Sequence, residues 1–400
     1  MKKRRILILG SDMEIGGAER ALLGLLNAID TSRFDVDLFL LRHQGKFLKS
    51  IPSNINLLPE SPIYSDLGVP VVNVLRKGHI LMALSRVIGK ISAKIYIREK
   101  GLNRLNSVEN HYSFLYTKWL LPKISADEYD LTISFTIPYY LAPEKTNGHK
   151  TIAWLHTDYG CVEGNTPKEL LVWDAHDYIA SISADVTKSF LAKFPSLESK
   201  IVEIENIIDP KIIVKQADQY DVSHEMLNDG SVKLLSIGRF CDAKNFDNIP
   251  AICSHIIKLG GNIKWYIIGF GGDEELIRDK IREHKMEEYV RILGKKENPY
   301  PYIKACDIYV QPSRFEGKAV TVREAQILNK PVVITNYPTA KSQIDDGKDG
   351  IIVPIDNLSC AHGIYNLINN KDVKQALIEF TQKKDYANNS EVYKLYELIE

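Results

Sequence analysis

Ser313-Arg-Phe-Glu-Gly-Lys-Ala-Val-Thr-Val-Arg-Glu-Ala-Gln-Ile-Leu-Asn-Lys-Pro331 is the stretch whose reading decides the fold. The run before it, Asp307-Ile-Tyr-Val-Gln-Pro312, is short and apolar and reads as a buried parallel strand. Ala319 to Leu328 reads as a helix, and Pro331-Val-Val-Ile-Thr335 as the next strand. Glu316 and Gly317 therefore sit at a strand-to-helix turn, where an open α/β sheet binds ligands. Gly317 lets backbone pass close to a ligand, and the N–H groups that open the helix suit a phosphate. Glu324 follows Glu316 by eight residues, roughly 12 Å along a helix. That is about the span from a nucleotide's ribose to a sugar on its second phosphate. Two Glu at this spacing alone would fit a plain surface helix; the flanking strands and the turn glycine favour a ligand site.

This stretch resembles the Glu-x7-Glu signature of retaining glycosyltransferases of family 4, which have the two-domain GT-B architecture. The resemblance implies that Glu316 faces the donor sugar and Glu324 holds the ribose hydroxyls. The loop departs from the common pattern at Lys318 and Ala319, positions that bear on which sugar is taken.

Four hundred residues suit two domains, and 44% hydrophobic with 26% charged content is that of a globular protein. Net charge is zero. Residues 1–200 carry 25 Lys+Arg against 21 Asp+Glu and residues 201–400 carry 26 against 30, so the halves stand at +4 and −4. No apolar run is long enough to span a bilayer. The start, Met1 to Gly10, looks like a signal n-region, but its apolar run is short and leads into a glycine turn, so it reads as a first strand. The expected location is cytoplasmic, with a peripheral place at the inner face of the membrane. Cys161, Cys241, Cys253, Cys306 and Cys360 are scattered without metal spacing, so reduced thiols and no zinc site are expected.

In the first half, Arg5 to Gly10 reads as a strand, and Gly16-Gly17-Ala-Glu-Arg20 opens a helix. A glycine pair there suits backbone contact with an anion or a sugar. It resembles the family's Gly-Gly-Ala-Glu-Arg loop, which implies that Gly16 and Gly17 meet the donor phosphates and that Gly17 and Arg20 meet the acceptor. Residues 76–123 hold ten Lys+Arg against two acids. Arg86, Lys90, Lys94 and Arg98 recur every four residues as one basic stripe, with Leu81, Leu84, Ile88, Ile91 and Ile95 opposite. Such a helix suits an anionic membrane surface or a lipid-diphosphate acceptor, or it is a solvated basic face over a core helix; these readings stay open. His156 ends a strand, Lys150 to His156, and its Trp-x-His-x-Asp context resembles the family's active-site histidine beside the donor sugar. Asp158 is an acceptor-side candidate, although an Asp there often only caps the next turn. The first domain is expected to end near residue 205.

The second half restarts the α/β rhythm. Lys233 to Arg239 is a strand ending in Gly238-Arg239, with Lys244-Asn245 after a short loop. Two cations on one strand-end loop can grip a diphosphate, and Gly-Arg-x4-Lys-Asn resembles the family's diphosphate clamp. Gly269 ends the next strand in a loop that, by resemblance, faces the donor. Gly294 follows a short strand whose loop, again by resemblance, meets the nucleotide base. Asn336 to Ser342 lies beside the Glu316 turn. Residues 376–400 resemble the family's closing helix, which returns toward the first domain.

The expectation is an α/β GT-B protein of two Rossmann-like domains facing each other across a cleft: 1–205 for the acceptor, 206–375 for the nucleotide-sugar, then the returning helix. The implied reaction transfers a hexose-type sugar, with retention, from a nucleotide-diphosphate sugar (UDP favoured) to a saccharide or lipid-diphosphate-linked acceptor in surface-polysaccharide assembly. Glu316, His156, Arg239 and Lys244 carry it. No Asp-x-Asp sits at a strand end, so no metal or other cofactor is expected, and no nucleic-acid partner. A sugar-nucleotide 2-epimerase or an inactive scaffold would share the fold.

Overall fold

Runs of Ile, Leu and Val without a polar face become the strands of two parallel sheets, because strands covered on both sides have no face to keep wet. The computed structural model describes residues 3–102, 107–136 and 138–399. Met1 and Lys2 of the basic start, residues 103–106 of the basic segment and Glu400 of the tail lie outside the described residues. The first sheet contains β1 (Arg4–Gly10), β2 (Phe34–Leu40), β3 (Asn56–Leu57), β4 (Glu128–Ser134), β5 (Asn147–Leu155), β6 (Tyr178–Ser181) and β7 (Ile201–Glu203), in the order β3-β2-β1-β4-β5-β6-β7. The second contains β8 (Val232–Arg239), β9 (Ile263–Phe270), β10 (Val290–Gly294), β11 (Ile308–Gln311), β12 (Val332–Thr335) and β13 (Ile351–Val353), in the order β10-β9-β8-β11-β12-β13.

Both sheets start in the middle, grow to one edge, then return and grow to the other. The order reverses between β1 and β4, with Ile8 opposite Ile133, and between β8 and β11, with Leu235 opposite Tyr309. The carboxyl ends of such neighbouring strands leave a crevice that the crossover helices do not fill. Alternate side chains serve the two faces: Ile6 and Ile8 join one core, Leu7 and Leu9 the other. The chain divides into two compact units, Met1–Ile207 with Ser390–Glu400, and Ile208–Asn389.

The helices that matter below are α1 (Gly17–Ala28), α2 (Val71–Arg76), α3 (Ile80–Lys100), α4 (Val108–Thr117), α5 (Val320–Ile327) and α6 (Glu391–Glu397). The last belongs to the first unit's core: Val392, Leu395 and Tyr396 are buried, and Tyr396 stacks on Phe34 at 4.5 Å.

The sequence left open whether this basic amphipathic helix meets a membrane or acceptor or is a solvated face over a core helix. The apolar stripe of α3 does not pack into the core. Instead Arg86 is buried, its guanidinium donating to the carbonyls of Asp66 and Val69 at 2.5 Å each. Desolvation lowers the Arg86 pKa, and the charge of Asp66 opposes that. Gly89 presses on α4, where a Cβ would come within 3.0 Å of the Tyr112 carbonyl oxygen. Met82, Ala83, Ser85 and Ala93 complete the buried side. Leu81, Leu84, Ile88, Ile91 and Ile95 face outward, 50–64% exposed. The protein takes the face whose small residues let two helices approach, because close packing recovers dispersion contacts that bulky side chains would block.

Candidate functional site

In the second unit the site is built where β8 and β11 end side by side. β8 delivers Gly238 and Arg239, and the chain then turns through Asp242–Lys244 to Asn245, held at φ 59°. Two contacts fix this turn onto the end of β11. The buried Asn245 donates from Nδ2 to the Pro312 carbonyl at 2.9 Å, and the Arg314 N–H donates to the Ala243 carbonyl at 2.8 Å. The Arg314 guanidinium also forks onto Asp247, at 2.9 and 3.1 Å. Lys244 is thereby laid across Gly238, where a Cβ would stand 3.2 Å from its Cδ and Cε.

The Lys244 ammonium reaches Glu316 Oε1 at 2.5 Å, with the side chains 20% and 10% exposed. The same oxygen accepts from Ser313 Oγ at 2.7 Å and Gln311 Nε2 at 3.2 Å. Glu316 Oε2 has no partner among the described residues, so one oxygen is anchored and the other is offered. Each hydrogen bond to a charged group in such a setting contributes about 1.5–3 kcal/mol. The anchoring runs deeper, since Tyr309 Oη donates to Gln311 Oε1 at 2.6 Å and Gln311 Nε2 donates to Ser313 Oγ at 2.9 Å. The backbone is held too, with Thr339 Oγ1 donating to the Glu316 carbonyl at 2.8 Å. Burial pushes the phenols of Tyr309 and Tyr337 up, and the Glu316 charge adds to it.

Gly317 and Lys318 are half-buried on the way into α5, and the Ala319 N–H is taken by Gln343 Oε1 at 2.6 Å. By the geometry of any helix start, Val320 and Thr321 then hold the N–H groups aimed out of α5. One turn on, Glu324 is buried at 1% exposure and accepts from Tyr300 Oη at 2.9 Å. Gly269, the last residue but one of β9, lies so close to its neighbour that a Cβ would stand 1.9 Å from the Gly238 carbonyl oxygen. Gly294 ends β10 at φ 73°, a left-handed conformation that favours glycine. Arg239 is exposed, without a side-chain hydrogen bond or ion pair among the described residues.

In the first unit, Gly16 caps α1, with the Glu19 carboxylate folded over it so that a Cβ would meet Glu19 Oε2 at 2.1 Å. Gly17 has open space where a Cβ would stand, and the Arg20 guanidinium lies over the Phe47 ring. His156 follows β5. Its Nε2 sits 2.9 Å from the Phe135 carbonyl, and burial lowers its pKa to about 4. A carbonyl only accepts, so Nε2 carries the proton and Nδ1 of the neutral ring is left as an acceptor. The Phe135 and Trp154 rings hold it at centroid distances of 4.7 and 6.4 Å. Asp158 is buried and caps the turn Tyr159–Cys161, Oδ1 accepting from the Gly160 N–H at 2.8 Å. Among the described residues no group of three or more His, Cys, Asp or Glu is arranged to hold a metal ion.

Residues 221–384 match the model of the family described as glycosyl transferases group 1. The match covers 164 of the 400 residues, so what it shows is the similarity of this segment to that family. Two curated relatives are a Campylobacter jejuni N-acetylgalactosamine-N,N'-diacetylbacillosaminyl-diphospho-undecaprenol 4-alpha-N-acetylgalactosaminyltransferase, 27% identical over 42% of this chain and 48% of its own, and a Staphylococcus aureus poly(ribitol-phosphate) alpha-N-acetylglucosaminyltransferase, 26% identical over 44% and 40%. The chain thus spans half or less of the length of these relatives. Among solved structures, Anabaena HepE with UDP-glucose is similar at TM-score 0.65 and 14% identity over 98% of both chains. A variant of S. aureus TarM with UDP is similar at 0.68 and 12% identity over 99% of this chain and 100% of its own. At these identities the likeness shows the fold, the α/β architecture of two parallel sheets that GT-B glycosyltransferases share.

Within the matched segment, sequence reasoning missed most of the residues that hold the named ones, Gln311, Ser313, Arg314, Tyr300 and Gln343; Thr339 lies in the Asn336–Ser342 stretch placed beside the Glu316 turn. A polar Gln311 closing an otherwise apolar buried strand was the available signal. The others act through neighbours that are adjacent only once β8, β11 and β12 are in register.

Proposed function

We propose that this chain is a retaining glycosyltransferase that moves a hexose-type sugar from a UDP-sugar to a saccharide or lipid-linked saccharide acceptor of surface-polysaccharide assembly, without a metal. The observation that carries the reading is the Glu316 carboxylate, anchored through Oε1 to Lys244, Ser313 and Gln311, with Oε2 unpaired among the described residues. It is supported by the group 1 match and by the sugar-transfer activities named for the two bacterial relatives.

In this reading Arg239 and Lys244 hold the diphosphate. An ammonium has three N–H groups, so Lys244 can keep Glu316 and still reach a phosphate oxygen. Glu324 accepts from the ribose hydroxyls, and Glu316 Oε2 from the sugar hydroxyls. Val320 and Thr321 N–H groups and Gly317 meet the second phosphate. Gly238, Gly269 and Gly294 keep their strand ends low enough for the nucleotide to lie over them. His156, neutral above about pH 4, accepts from a sugar hydroxyl at Nδ1. Fixed cations stabilise the charge that grows on the leaving diphosphate, as a divalent ion does elsewhere. The departing phosphate takes the acceptor's proton, and attack from the same face retains the anomeric configuration.

The deciding experiment is calorimetric titration with UDP, GDP and ADP, each in EDTA. Micromolar binding of UDP supports the donor class and the metal-free clamp, whereas binding of none overturns both. Retention is read from the anomer of the product by NMR. Near wild-type turnover in both Arg239→Ala and Glu324→Ala would sink the residue assignment.

A further inference from the structure

The outward face of α3 has no core to explain it. Helices of soluble domains turn their bulky apolar side inward, yet here Leu81, Leu84, Ile88, Ile91 and Ile95 stand at least half exposed. At about 100° per residue they fall within an arc of roughly 60–80°. The orientation is fixed from beneath, by Arg86 on the Asp66 and Val69 carbonyls and by Gly89 on the α4 backbone. Rotating the stripe inward would bring bulky side chains where Gly89 now lets two backbones touch. The helix packed beside it, α2, adds Val72 and Leu75, 58% and 48% exposed.

Charge lies along one shoulder of this stripe. Arg98 borders it, Lys94 lies about 60° and Lys90 about 100° further round the helix, all exposed and unpaired with any carboxylate among the described residues. A continuous apolar ridge with a line of free cations beside it matches the boundary of an anionic bilayer, acyl chains below and headgroup phosphates alongside. An antiparallel second copy would bring the same cations onto one side of the seam. Spanning is excluded for α3, because no described helix is long and apolar enough to cross a membrane.

We infer that α3 lies in the plane of an anionic membrane, its apolar ridge seated among the acyl chains and Lys90, Lys94 and Arg98 on lipid phosphates. The sequence left a membrane-facing reading open beside a solvated basic face over a core helix; the exposed apolar side chains, rather than the basic stripe, are the main contact inferred here. The inference does not rest on glycosyl transfer and is read without turnover.

The test is co-sedimentation of the full chain with phosphatidylglycerol-containing vesicles and with pure phosphatidylcholine vesicles, together with light scattering of the free protein. Binding to the anionic vesicles is expected. Leu84→Ser with Ile88→Ser lowers the partition coefficient at least about tenfold. Lys90→Gln with Lys94→Gln lowers it about fivefold per charge, an effect that added salt reproduces. All four positions are exposed, so unchanged thermal midpoints are expected and show that the variants are folded. Three results overturn the inference: no sedimentation with anionic vesicles, undiminished sedimentation of the Leu84/Ile88 variant, or a dimer in solution that Ile88→Asp dissolves, which would assign the ridge to a second copy.

Discussion

Glu316 is held by one oxygen, and that asymmetry makes a sharp substitution available. Gln at this position keeps the shape and an acceptor for Ser313 Oγ and Lys244, but removes the charge and turns one end into a donor. Under the proposed function Glu316→Gln lowers UDP release from the donor about 10²–10³-fold. Nucleotide affinity, measured by calorimetry, stays within about threefold, because no nucleotide contact is assigned to Glu316. Glu324→Gln has the opposite signature, weakening UDP binding about tenfold or more. If both variants lose affinity alike, the two carboxylates do not divide sugar from ribose. The position of Glu316 was legible at this scale, since Glu316-Gly317 reads as a strand-to-helix turn from the sequence and lies there in the structure. For Asp158 the sequence offered both an acceptor-side role and a turn cap, and the structure shows the cap.

At the scale of elements, the clamp loop is positioned by a residue that is assigned no substrate contact. Arg314 ties Asp247 and the Ala243 carbonyl to the end of β11, and so sets where Lys244 arrives. Arg314→Ala is expected to lower kcat/KM about 10–100-fold, and Arg314→Lys to recover part of it, because Lys can keep one ion pair but not the fork. An unchanged kcat/KM in the alanine variant would mean that Asn245 and the backbone bond from residue 314 to the Ala243 carbonyl hold the loop without the guanidinium. The strands were readable because unbroken Ile, Val and Leu runs have no other comfortable fate. The orientation of α3 was not. A helical wheel separates polar from apolar faces, but which face a protein takes depends on what waits beneath it. Here that was a pair of carbonyls for Arg86 and a backbone surface that only Gly89 could approach.

At the scale of the whole molecule, ionisable groups are shared unequally between the units. His111, His156 and His176 all belong to the first unit, and burial lowers each pKa to about 4. An unfolded histidine titrates near 6.5. Between these values the unfolded chain binds more protons than the native one, so stability falls as the pH falls from about 6.5 to 4. Each group can remove up to about 3 kcal/mol across that window. Glu169 acts in the opposite sense, its pKa raised chiefly by burial, and offsets part of the loss. Calorimetric unfolding is expected to lower the first unit's transition more steeply than the second's as pH drops through this range. Parallel shifts of both would contradict the unequal burial. None of this was legible beforehand, because three scattered histidines carry no burial information in their spacing.

The placement of α6 has a consequence for how the protein is made. Val392, Leu395 and Tyr396 complete a core whose other members lie in residues 6–207, yet they emerge from the ribosome after the whole of residues 208–389. Domains fold as units during synthesis, earlier segments first. The second unit thus has every residue of its own core in hand while the first still waits with Phe34 uncovered. The half begun first is the half finished last, and for the length of that wait its exposed seam is in the keeping of whatever attends the nascent chain.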